Sequence, residues 1–187
     1  MKIIPKTRRR IKSATSFQDL SGHSPLLHSN ILSIDLYLSD FYTIGLLYNM
    51  HLILKDKTKY ILRFDQGEEL LKRLNNFCKK ERVKGAWFWA IGSTEDLILS
   101  YFNLRTKSYQ DKRFKEKLEI VGLSGNVAMS DKEIVIHAHG SFSDPKMKVC
   151  GGHVKKLVVG ATCELFLQKF SRLIQKEISD NGLRVMR

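Results

Sequence analysis

Residues 133–164, EIVIHAHGSFSDPKMKVCGGHVKKLVVGATCE, constrain this chain more than any other stretch. Three of its six histidines, His137, His139 and His153, fall within 17 residues there. Apolar residues flank them at strand-like spacing. A strand alternates faces with period two, so His137 and His139 point the same way while Ala138 points the other. Gly151-Gly152 is expected to let the backbone bend sharply before His153. Such a layout can bring three imidazoles to one point, and three imidazoles suit zinc or another divalent transition metal. A bare H-x-H can equally stand on a solvent face or at a subunit boundary, so the third histidine matters.

Around this stretch the pattern is that of an α+β domain with a central, mainly antiparallel sheet. Tyr60–Phe64 is apolar and strand-like. Leu70, Leu71, Leu74, Phe77 and Cys78 recur at helical spacing, which predicts a helix over 68–80 with Asp65 as its entry and Lys79 and Lys80 in its last turn. Strands are expected over 85–92, 96–103, 117–123, 126–129, 133–139 and 157–170. Ser130-Asp131-Lys132 marks a hairpin turn. Trp87 and Trp89 share one face of their strand, and Ala86, Phe88 and Ala90 share the other. With both faces apolar, a helix is expected to cover one, and a second subunit the other, where large aromatics are favoured.

Charge and cysteine content narrow the function. The net charge is +13, and residues 1–50 hold six basic and three acidic residues, which leaves 26 basic and 16 acidic, a net +10, for residues 51–187. The basic character therefore belongs to the main body, which attracts nucleic acid or small anions. The three cysteines, Cys78, Cys150 and Cys163, are odd in number and unevenly spaced, as expected of reduced thiols in the cytoplasm. Cys150-Gly-Gly-His153 has a metal half-site spacing, but a lone cysteine is more simply a small buried residue.

Residues 1–49 differ from the rest. They open with an acid-free basic segment containing Arg8-Arg9-Arg10. The apolar run 41–54 is 14 residues long, too short to span a bilayer. Extending it back to Ile31 brings in Asp35 and Asp40, each costing about 2.5–3.5 kcal/mol near a helix centre. No cleavage-site pattern of a secretory signal follows. No membrane association is expected. The segment reads as an N-terminal extension, disordered or upstream of a true start at Met50, followed by a domain over 50–175 and a tail over 176–187.

Several landmarks occur together and in order: GAWFWAIGSTEDLILSYFNLRTKSY at 85–109, LEIVGLSGN at 118–126, HAH at 137–139, GGH at 151–153 and GATCE at 160–164. From Tyr60 to Phe170 the chain resembles the PPC (plant and prokaryote conserved) domain. The resemblance implies a compact domain on a central sheet that assembles as a homotrimer. Plant members pair the domain with an AT-hook and act in nuclear DNA binding. Prokaryotic members are mostly the domain alone, and some carry a metal at the histidine cluster. This chain has no Gly-Arg-Pro hook core: its prolines are Pro5, Pro25 and Pro145, and none follows Gly-Arg.

These observations define a metal set of His137, His139 and His153, with Glu164 of GATCE as the candidate general base and Asp144 as a weaker one. The expected function is that of a metal-bearing, DNA-associated homotrimer binding DNA weakly and non-specifically. The alternative is a metal-dependent enzyme, or a small-ligand-binding trimer, acting on an anionic substrate. No phosphate-binding loop, dinucleotide motif, serine elbow or C-x-x-C pair is present.

Overall fold

The computed structural model describes residues 50–187; the expectations for residues 1–49 lie outside that range. The chain begins with a hairpin, β1 (His51–Asp56) and β2 (Lys59–Asp65), followed by α1 (Leu70–Lys80). Then come β3 (Ala86–Asn103), β4 (Ser108–Phe114), β5 (Leu118–Ser130), β6 (Glu133–Ser143) and β7 (Val149–Lys169). A small hairpin, β8 (Lys176–Ile178) and β9 (Arg184–Met186), ends it.

The helix buries Leu70, Leu74, Phe77 and Cys78, the stripe predicted from their spacing, against β6 and β7. Its entry differs from expectation. Asp65 ends β2, and the cap is Glu69, whose carboxylate accepts the N–H groups of Leu71 (3.3 Å) and Lys72 (2.7 Å). Gly67, with φ of 83°, turns the chain between them.

The main sheet runs β1-β2-β7-β6-β5-β3-β4, all antiparallel, with a further pairing of β7 to β3. That pairing closes β3, β5, β6 and β7 into a ring. β7 is long enough to pair with β6 at its start, β3 along most of its length and β2 at its end. The two strands expected over 85–92 and 96–103 are one bent strand. Register shifts near Gly92 and Thr94 kink it. Gly92 (φ 145°) passes so close to the Thr162 carbonyl that a Cβ would collide. Likewise 117–123 and 126–129 are one strand, β5. The turn at Asp131-Lys132 is as expected, with φ of 50° and 67°, the pair of positive values that a tight hairpin requires.

Alternation then sorts the residues. Phe88, Leu97, Leu99, Leu123, Val127, Ala138, Phe142, Val154 and Leu157 face inward and are buried. Ser124, Asn126, His137, His139, His153, Ser100 and Asp111 lie on the outward face. Among the described residues no helix is long and apolar enough to cross a membrane.

Gly125 holds β5 and β6 together at the level of the histidines. A Cβ there would strike the His137 carbonyl and the Phe88 ring, whereas one at Gly122 would meet nothing within 4 Å. Gly125→Ala is therefore expected to lower stability by about 1–3 kcal/mol, from overpacking. Gly122→Ala should leave it unchanged or slightly raised, and urea unfolding of the two variants checks the contrast.

Candidate metal centre

Strand alternation sends His137 and His139 outward from β6, with Ala138 buried between them at 2 % exposure. β7 then sets His153 directly opposite His139. No bend occurs at Gly151-Gly152, contrary to expectation. Both glycines lie inside β7, and Gly151 instead allows a close approach, since a Cβ there would lie 2.7 Å from the Gly140 carbonyl. The chain reverses earlier, at 144–148, where the Asp144 carboxylate accepts the N–H groups of Lys146 (2.8 Å) and Lys148 (2.9 Å). Asp144 is thus committed to its turn.

The three imidazoles converge. Their ring centroids stand 5.1, 5.1 and 5.3 Å apart, and one nitrogen from each lies within 4.8 Å of the others. A tetrahedral ion with bonds of ~2.0–2.1 Å needs donors roughly 3.3 Å apart, a closure that side-chain rotation supplies. The donor set is all nitrogen, without carboxylate or thiolate. Cys150 pairs with Phe142 on the core-facing side of β7, away from His153, so it does not join the set. Two buried polar atoms nearby have no partner among the described residues: His153 Nδ1 and Asn126 Oδ1, the latter on the residue opposite His137. Polar atoms left unpaired beside a converging donor set mark a place for a bound group or ordered water.

A row of supporting residues extends along the sheet. Ser100 of β3 is opposite His153 and donates to Asp111 (2.7 Å), which also accepts from Lys155 (2.8 Å). The Tyr109 ring packs against His153 at 5.3 Å. Burial pushes His137 down to about 4, helped by Lys176, His153 and His139. His153 is also pushed down, mainly by burial, then by His139, Lys155 and Lys176, against a smaller upward pull from Asp111. Both are neutral at neutral pH, the form that ligates a metal.

Glu164 lies eleven residues farther along β7, between Arg63 and Ile91 in the ladder, and is not part of the cluster. It lines a shallow depression of about 400 Å³ with Ile61, Trp89 and Phe166. His139 lines an adjoining one of about 490 Å³ with Ser124 and Ser141, and Trp89, Gly122 and Leu123 border both. Tyr109, Ser100, Asp111, Asn126 and Lys176 were not expected from the sequence to belong here. Only the TKSY segment offered a signal, for Tyr109.

The model of the Plants and Prokaryotes Conserved (PCC) domain matches residues 53–171. The chain belongs to this family. Every candidate metal ligand of this PCC protein lies within the matched range, and Lys176 lies beyond it. No curated protein matches the chain. Among solved structures it is similar to a PPC protein from Pyrococcus horikoshii, at 32% identity and a TM-score of 0.66, over 74% of this chain and 94% of that one. A candidate DNA-binding protein from Bacteroides thetaiotaomicron is 27% identical with a TM-score of 0.72, over 75% and 98%. A metal-containing protein from Archaeoglobus fulgidus is 28% identical with a TM-score of 0.65, over 73% and 98%.

The depressed His137 value sets a pH dependence for the metal-free PCC protein. Between the ordinary 6.5 and about 4, the unfolded chain binds a proton at this residue that the folded chain does not. Stability therefore falls as pH drops through that window and levels off below it. Denaturant midpoints of metal-free protein across the window should show this fall, and His137→Asn should make it shallower, leaving the smaller part that the lowered His153 contributes.

Proposed function

We propose that this protein is a metal-binding homotrimer in which His137, His139 and His153 hold zinc or another divalent transition metal. The observation that carries this reading is the convergence of three imidazoles within 4.8 Å, with His153 Nδ1 and Asn126 Oδ1 buried and unpaired beside them. The similarity to a protein named as metal-containing supports it. Three protein ligands leave a position for water or a ligand oxygen, and a metal bound there supplies Lewis acidity. Tyr109 packs on the His153 ring, and Asp111, bonded to Ser100, acts on His153 by its charge. Glu164, across Trp89 from His139, is the candidate base if the site turns over a substrate.

The trimer is supported by apolar residues left on the sheet surface: Trp89 and Phe166, stacked with centroids 6.0 Å apart, together with Ile91 and Val121. A patch of that kind marks an association surface. Three free cysteines, two of them fully buried, fit a reducing cytoplasm.

A second reading, DNA association in a regulatory role, is favoured by the basic body and by the similarity to a candidate DNA-binding protein. A trimer would repeat each basic patch three times and so raise weak, salt-sensitive, sequence-independent binding.

Elemental analysis of the purified protein tests the main reading. Wild type is expected to carry close to one transition-metal ion per chain, and His137→Ala/His139→Ala close to none. Far-ultraviolet circular dichroism should be unchanged, since both side chains point away from the core. Equal metal in both proteins, or none in wild type, would refute the reading.

A further inference from the structure

The segment after β7 returns to the histidines. Met129 of β5 bridges Gln175 in parallel, and its N–H donates to the Ile174 carbonyl (2.8 Å). Bridged residues share a face, and Met129 belongs to the inward-facing set of β5. Gln175 therefore takes the inward side, and Lys176 takes the outward side, with Ala128, Asn126 and His137. Ala128 and Ser130 are 0 % and 3 % exposed although they face outward, so the C-terminal segment covers them. At its far end the β8–β9 hairpin meets the β3–β4 turn, where Lys107 Nζ donates to the Asp180 carbonyl (3.4 Å). The hairpin thus lies on the face that bears the cluster.

Lys176 is 3 % exposed, its side chain packed with only the ammonium end reaching solvent, and no hydrogen-bond or ion-pair partner holds that ammonium among the described residues. A cation that reaches solvent from an otherwise buried side chain, with no acidic partner, is open to pairing with an anion that enters from solvent. The surroundings do not supply one. The carboxylate acting on His153 is Asp111, already bonded to Lys155 and Ser100. The charged neighbour acting on Lys176 is Arg184 of β9, another cation. A divalent metal on the histidines would add two more positive charges.

We propose that the C-terminal hairpin makes the histidine centre an oxyanion site, in which a small carboxylate or phosphate-type anion is held jointly by the metal and the Lys176 ammonium. This rests on the metal reading above. Lys176 lies outside the family-matched residues 53–171, so the hairpin adds to the domain a cation that the matched residues do not provide.

Cobalt(II) in place of the native metal makes the test visible, because its absorption bands report both occupancy and a change of ligand. Wild type, Lys176→Met and Lys176→Arg are each loaded with cobalt and titrated separately with acetate and inorganic phosphate. Methionine keeps the apolar stem, so the hairpin stays packed. All three proteins should bind cobalt. At least one anion should shift the wild-type bands saturably, and the stronger of the two identifies carboxylate or phosphate chemistry. Lys176→Met should need about tenfold more anion or greater, the loss expected for one charge-assisted hydrogen bond, and Lys176→Arg should restore most of it. Cobalt bound without any anion response, or equal anion affinity in wild type and Lys176→Met, would overturn this proposal alone. Failure of wild type to bind cobalt would overturn the metal reading and this proposal with it.

Discussion

The pairing of β3 with β7 is the constraint on which the rest depends. Without it the sheet is an open ladder; with it, β3, β5, β6 and β7 form a closed ring. The ring fixes the register of β7 against β6 and β3 at once, because His153 is opposite His139 on one side and Ser100 on the other. A one-residue slip of β7 would turn His153 into the core and Val154 out of it. Burial of Val154, Leu157 and Val159 opposes that slip, so the apolar side of β7 positions the imidazole on its polar side.

The same geometry sets the chemistry. His137 and His153 are partly shielded and surrounded by cations, so they give up protons early and stand neutral. The competing soft ligands are removed from play. Burial pushes the Cys78 and Cys163 thiols up to about 12, and Cys150 is on the core-facing side of its strand. What remains is an all-nitrogen donor set at the edge of a depression that no acidic side chain lines. An oxygen ligand of negative charge suits such a place.

Much of this was legible in the sequence, and what was not has physical causes. Period-two alternation alone placed His137 and His139 together and sent Ala138 inward. The helical stripe from Leu70 to Cys78 was equally plain. β1 and β4 were not legible, because HLILKD and SYQDKRF lie on sheet edges and are almost wholly exposed, so no buried alternation marks them. β3 and β5 read as two strands each: register shifts near Gly92 and Thr94 interrupt the period of β3, and Ser124-Gly125 has turn-like composition although β5 continues through it unbroken. Gly151-Gly152 read as a turn, although Gly151 serves a close approach to β6 and Gly152 one to β3. Lys176 gave no local signal at all. Its importance comes from a bridge between Met129 and Gln175, 46 residues apart, which no spacing rule anticipates.

X-ray absorption spectroscopy of the zinc-loaded protein tests the central claim most directly, since it reports the element and distance of each ligand. Three imidazole nitrogens at ~2.0–2.1 Å, one further oxygen and no sulfur are expected. A sulfur shell near ~2.3 Å, or a coordination sphere of oxygen without imidazole scattering, would contradict it.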